Sequence, residues 1–339
     1  MVEKWNSRKR VETALNHREP DRVPLDLSIT LNAYVKLRTY LGLPPDEDVQ
    51  ADRFFEVLPR QDLLEALGVD MTWLRLRGPR DWTPPPPKED GTILDVWGIG
   101  RKLIELADGS YLNEISHCPM ADLDPAEIDL DAYPWPDPHA PGFTDGLEEE
   151  AHRLYHETDL ALMGRFGGPV MEMGTYLRGF EKWLMDLVIY PDFTRDMLNR
   201  ITDIQIALDE IGIKAVGKYI SVFKVSGEDL GMQDRTLFSY KVWQDLIYPI
   251  LKRRWRAARE ALNNNNASHV KIMLHSDGAI RPFISDIIKA GVNVLDPIQS
   301  VCPGMELEEL KLDFGKELSF HGSVDTQFFL PRGSVQDVN

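Results

Sequence analysis

Val270-Lys-Ile-Met-Leu-His275, Val294-Leu-Asp-Pro297 and Leu318-Ser-Phe-His-Gly322 are short apolar runs separated by two helical stretches, Ile280–Ala290 and Leu307–Asp313. A β-then-α rhythm of this kind predicts parallel strands with helices packed outside, in a barrel or a doubly wound sheet. The short βα spacing favours the barrel. Upstream, Asp70–Leu74, Leu160–Phe166 and Tyr219–Val225 read as strands of the same sheet. Gly179–Val188, Pro191–Ile213 and Ser239–Leu262 read as helices between strands. At the N-terminus, Ser7–His17 predicts an amphipathic helix with Ser7 as its N-cap and Val11, Ala14 and Leu15 as its apolar stripe. Pro20 ends that helix, and Arg22-Val-Pro-Leu-Asp-Leu27 reads as the first strand. The strands then stop one short of a full barrel, because another β/α unit needs roughly 30 more residues. The expected fold is α/β, a TIM-like (β/α)8 barrel lacking its last unit.

One segment breaks the rhythm. From about residue 82 to 142 the chain carries Pro84-Pro-Pro-Pro87, Asp95-Val-Trp-Gly98 and Tyr133-Pro-Trp-Pro-Asp-Pro138. Consecutive prolines continue neither a helix nor a central strand. The segment reads as a hairpin and loop insertion between the second and third strands, in a single domain spanning 1–339. The 339 residues alone suggest about two domains, but α/β barrels commonly run to ~250 residues or more as one.

A formal net charge of −17 argues against a nucleic-acid partner, which requires a basic patch. No apolar run of ~18 residues is present to span a bilayer, and no apolar segment follows the basic N-terminus as a secretory signal requires. Cys118 and Cys302 lie far apart and form no disulfide framework, so a reducing cytoplasm is the simplest setting.

Several segments together resemble the uroporphyrinogen decarboxylase superfamily. They are Arg8 to Pro24, Asp95-Val-Trp97 with Gly98-Ile-Gly-Arg101, Leu177-Arg-Gly-Phe-Glu181, Glu228-Asp-Leu-Gly-Met-Gln233, His275-Ser-Asp-Gly278 with Leu295-Asp-Pro-Ile-Gln299, and Phe320-His-Gly-Ser-Val-Asp325. The resemblance implies a TIM-like barrel and a dimer. It also implies that the chain lacks the family's glycine-rich tail and a further zinc-binding cysteine. The decarboxylase branch looks similar in fold but not in its working residues. Where that branch has Met-Arg-Gln-Ala-Gly-Arg, this chain has Asp26-Leu-Ser-Ile-Thr-Leu-Asn32. Where it has Phe-Ser-Asp, this chain has Trp73-Leu-Arg-Leu-Arg77. The corrinoid-dependent methyltransferase branch fits better. Its zinc-binding His-x-Cys resembles His275-Ser276-Asp277, with a carboxylate in place of the thiolate. The resemblance therefore implies methyl transfer between a corrinoid protein and a small thiol, folate or methoxylated substrate. The cofactors it implies are zinc or another divalent ion and a methylcorrinoid carried by the partner protein; no corrinoid module is expected within the chain. The competing expectations are a cofactor-free carboxy-lyase acting on a porphyrinogen or other carboxylate, and an inactive barrel that only binds a partner.

Residue types at the expected strand ends give the candidates, because catalytic groups of such barrels sit at that face. His275 and Asp277, two apart, can turn towards one ion; zinc accepts both donor types, and the harder donor set admits other metals. The alternatives are a hydrogen-bonded histidine and a turn former before Gly278. Glu228 and Asp229 are adjacent carboxylates that repel unless an ion or donor receives one of them; otherwise they cap the next helix. Gln233 orients a ligand, or is a surface amide. His321 and Asp325 follow the last expected strand, the latter with an N-cap as its alternative. Asn32, Arg75 and Arg77 line the mouth, where the arginines would hold an anionic substrate group; the alternative is packing under the proline-rich insertion. Phe166-Gly167-Gly168 lets backbone approach a substrate, or is a tight βα turn. Cys302 reads as a small buried hydrophobe, and Trp82, Trp97 and Trp135 as covers of the mouth or staples of their loop.

Overall fold

The computed structural model describes residues 5–52, 55–107, 109–225 and 227–338. Its strands, in chain order, are β1 (Ile29–Thr30), β2 (Glu56–Val57), β3 (Met71–Arg75), β4 (Ile93–Leu94), β5 (Gly100–Glu105), β6 (Tyr111–His117), β7 (Ala161–Arg165), β8 (Val222–Val225), β9 (Lys271–His275), β10 (Val294–Ile298) and β11 (Ser319–Gly322). Six of them form one parallel sheet in the order β3-β7-β8-β9-β10-β11, so each strand pairs with the next of its kind. Sequential parallel strands joined by helices are the winding of a (β/α) barrel.

Alternation along these strands sorts the residues into two cores. Met71, Trp73, Ala161, Met163, Val222, Met273 and Val294 form an inner cluster, closed at its base by Val11 of the helix Ser7–Leu15. Leu74, Leu162, Phe223, Val225, Leu274 and Leu295 face outward into the large core beneath the helices. The helix Pro191–Val216 begins with proline, whose missing N–H costs nothing there, and buries Met197, Leu198, Ile201, Ile204, Ile213 and Val216 along one stripe. Its neighbour Tyr248–Asn264 packs alongside it. The N-terminal helix is fixed to the barrel base by the fully buried Asp70, 2.7 Å from both Arg10 and Arg22.

The structure corrects several expectations. Arg22–Leu27 is not a strand: it contributes one backbone bond, Asp70 N to Leu25 O at 2.8 Å. Pro24 lacks a donor, and Asp70's carboxylate takes the Leu25 N–H. The parallel sheet thus has six strands among the described residues, not seven. The N-terminal helix is capped by Asn6, whose side chain accepts from Lys9 N, rather than by Ser7. Further helices appear among the described residues, four of them long enough to pack: Leu31–Tyr40, Gln61–Leu67, Leu147–Glu157 and Met171–Arg178; two short ones, Phe329–Arg332 and Val335–Val338, follow the last strand. The insertion is a three-stranded antiparallel sheet, β4-β5-β6, rather than a hairpin. Behind it, Trp97 and Trp135 meet edge-on at 6.1 Å, and Trp97 is buried.

Candidate functional site

The next inward position after the inner core is polar on every strand from β3 to β10. In order it holds Arg75, Arg165, Lys224, His275 and Asp296. These side chains form a charged layer at the C-terminal mouth. Asp296 is its hub. Its Oδ2 lies 2.7 Å from Lys224 Nζ and 2.8 Å from His275 Nδ1, and its Oδ1 lies 2.5 Å from His321 Nδ1. Burial alone would raise the Asp296 carboxyl, but Lys224 and the two imidazoles hold it well below the usual carboxylate range. His321 reaches on with Nε2 to Asp26 Oδ2 at 3.3 Å. Although burial opposes it, Asp26 and Asp296 lift the His321 imidazolium to about 10.

His275 turns its other nitrogen to the loops above the barrel. Nε2 stands 3.8 Å from Asp229 Oδ1, and Asp229, His275 and Asp277 each place a ligand atom within 4.8 Å of the others. Two glycines bring the loops this close. A Cβ on Gly231 would lie 2.7 Å from the Asp277 carbonyl, and Gly278, at φ +85°, would clash with Gly231 and Met232 backbone. Asp277 N then donates to Asp229 Oδ1 at 3.2 Å, and Gly278 N to Gln299 Oε1 at 2.8 Å.

Glu172, on the first turn of Met171–Arg178, joins this group: Asp229 N lies 3.4 Å from its Oε1, and Tyr176 donates to its Oε2. Burial and then the Asp229 charge raise the carboxyls of both Glu172 and Asp277. Carboxylates crowded beside an imidazole in this way favour a bound cation. The nitrogen-and-oxygen donor set suits a divalent metal, and His275 is oriented as such ligands are, with its far nitrogen on a carboxylate.

Glu228 points the opposite way from Asp229. Fully buried, it accepts from Val170 N at 2.9 Å and Met171 N at 2.7 Å, with Arg254 at 3.6 Å. Burial lifts its carboxyl to about 8, against the pull of Arg254 and those donors. Arg254 is shared with Asp209 at 2.8 Å, in a buried network under the mouth.

The other candidates lie outside this cluster. Arg75 and Arg165 are in-register neighbours, paired with Asp52 at 3.0 Å and Glu56 at 2.8 Å. Arg77 pairs with Glu150 at 2.5 Å on an exposed flank. Asn32 donates to the Tyr111 carbonyl at 3.0 Å, tying the insertion down. Gln233 bonds Gln327 at 2.6 Å on the surface. Asp325 accepts from Gln327 N and Phe328 N, as a turn former does. Phe166 stacks on Phe223 in the core, 5.8 Å between centroids. Cys302 is buried, with Sγ 3.8 Å from Gln299 Oε1. The spacing Asp-x-His-x-x-Gly, a corrinoid-binding signature elsewhere, occurs at Asp137-Pro-His-Ala-Pro-Gly142. Here Asp137 only closes a turn on His139 N, between prolines. Sequence reasoning missed Lys224, Asp296, Arg165, Asp26 and Glu172. All but Glu172 and Asp26 could have been found by extending the inward alternation of each strand to its last residue.

A (β/α) barrel whose mouth gathers carboxylates beside an imidazole thus defines the class. The family model for uroporphyrinogen decarboxylase (URO-D) matches residues 119–339, and the chain belongs to that family. No curated protein matches the chain. Among solved structures, a methyltransferase from Methanosarcina mazei is similar at 16% identity and a TM-score of 0.62, over 98% of this chain and 87% of that one. At that identity the likeness is one of fold.

Proposed function

We propose that the protein is a methyltransferase of the uroporphyrinogen decarboxylase superfamily. It moves a methyl group between a corrinoid protein, docked at the barrel mouth, and a small thiol, folate or methoxylated substrate. The observation that carries this reading is the convergence of Asp229, His275 and Asp277 on one point at that mouth. These three residues would hold a divalent metal, zinc or a harder ion. When bound there, such an ion acts as a Lewis acid that favours the deprotonated, nucleophilic form of an acceptor thiol. The chain's own residues prepare the place. Asp296 orients His275, and Gly231 and Gly278 let the two acidic loops meet. Glu172, whose carboxyl is raised by burial and by Asp229, is placed to take a proton at an oxygen beside the cluster. Arg75 and Arg165 stand along the mouth from the cluster, each paired with a carboxylate of its own. The setting we propose is cytoplasmic and the assembly a homodimer; no helix among the described residues is long and apolar enough to cross a membrane.

The same two arginines favour one second reading, a carboxy-lyase that holds substrate carboxylates without a cofactor. Both are already neutralised by Asp52 and Glu56, which ranks this reading below the first. The test is incubation of zinc-loaded protein with methylcobalamin and a thiol, following loss of the methylcobalamin absorbance. A parallel incubation with uroporphyrinogen follows loss of its carboxylates. Thiol-dependent demethylation abolished in His275→Ala supports the methyltransferase. Decarboxylation without demethylation replaces it with the second reading.

A further inference from the structure

The geometry points to Asp296 as the positioning residue of this site: it fixes the tautomer and rotamer of His275, so that Nε2 turns its lone pair toward the point that the carboxylates of Asp229 and Asp277 also face. The consequence for metal affinity rests on the reading above; the tautomer does not.

Asp296 and His275 are Cα partners across β10 and β9, so their side chains leave the sheet on the same face. Ser276 N donates to the Asp296 carbonyl at 2.7 Å, which locks the two strand ends in that register. A carboxylate accepts and does not donate, so the 2.8 Å contact places the proton of the neutral ring on Nδ1. Nε2 is then an acceptor, the form a metal ligand needs.

The hub cannot turn away. Oδ2 is shared between His275 and Lys224, and Oδ1 is held by His321 at 2.5 Å, so a rotation about Cβ–Cγ breaks contacts to β8, β9 and β11 together. His321 is itself held by Asp26, from the segment on the far side of the sheet's open seam. A chain of alternating acids and imidazoles, Asp26–His321–Asp296–His275, therefore runs around the mouth and ends on the metal-facing nitrogen. Asp296 is only 5% exposed and both its oxygens are taken, so it acts through His275 rather than on substrate.

The experiment uses the full chain, isotopically labelled, freed of metal, at a pH where the His275 ring is neutral. Long-range proton–nitrogen spectra report which ring nitrogen carries the proton, and cobalt(II) titration followed by visible absorption reports affinity. In the unmodified protein His275 is expected as the Nδ1–H form. In Asp296→Asn, whose amide can donate, the Nε2–H form should gain population and cobalt affinity should fall by ~10–100-fold. Asp296→Glu keeps a carboxylate and should restore the Nδ1–H form; it also serves as the reporter if the asparagine variant folds poorly. An Nε2–H ring in the unmodified protein, or unchanged tautomer and affinity in Asp296→Asn, overturns the assignment. An Nδ1–H ring that depends on Asp296, in a protein that binds no cobalt, sustains the positioning role and removes the metal reading instead.

Discussion

His321 Nε2 and Asp26 Oδ2 face each other at 3.3 Å across the seam between the last strand and the N-terminal segment. Among the described residues the sheet has no backbone pairing there, so side chains provide the closure. His321 is lifted to about 10 in the fold, against an ordinary value of 6.5. The folded state therefore binds the extra proton between those values. Its stabilisation is complete below about pH 6.5 and is lost as pH rises through about 10. Thermal melts from pH 6 to 10.5 should show stability falling across that window, and His321→Gln should flatten the fall. An unchanged slope in the variant would remove the clasp.

Arg254 is fully buried between Asp209 and Glu228. Arg254→Met leaves Asp209 without its cation and should cost about 3–5 kcal/mol, read by denaturant unfolding. Arg77→Ala, which removes an exposed pair with Glu150, should cost no more than about 1 kcal/mol and leave activity unchanged. Equal costs for the two variants would contradict this account of the buried network.

Gly212 lets the helix Pro191–Val216 lie against Phe166. A Cβ there would sit 2.2 Å from the ring, itself stacked on Phe223. Gly212→Ala should destabilise by about 1–3 kcal/mol through overpacking, despite alanine's better helix propensity. A more stable variant would mean that the ring moves freely.

Much of the fold was legible because buried parallel strands read as apolar runs: β7 and β9 begin and end within a residue or so of the expected positions. Arg22–Leu27 misled because its alternation resembles a strand while Pro24 and the Asp70 carboxylate take away its ladder. The helix Leu31–Tyr40 was hidden by its composition: Arg38, buried against Tyr34 and paired with Asp62, stands where an apolar residue marks a core face. At the site, His275 and Asp277 stood out in the sequence as two donors two apart at an expected strand end, in a segment resembling the family's His-x-Cys. Asp229 became distinct from Glu228 only when the loop turned one carboxylate outward and the other into Arg254. Asp296 was masked by lying inside an apolar strand run. Glu172 sits on a helix that no cap signals, since Val170 precedes it with no side-chain bond.

The most direct measurement is metal content by elemental analysis of protein purified without chelators, for the unmodified chain, His275→Ala and Asp277→Asn. The unmodified chain should carry about one divalent ion, lost in both variants, with melting temperatures otherwise maintained in chelator. No ion in the unmodified protein, or an ion retained by both variants, would contradict the claim that Asp229, His275 and Asp277 form a metal site.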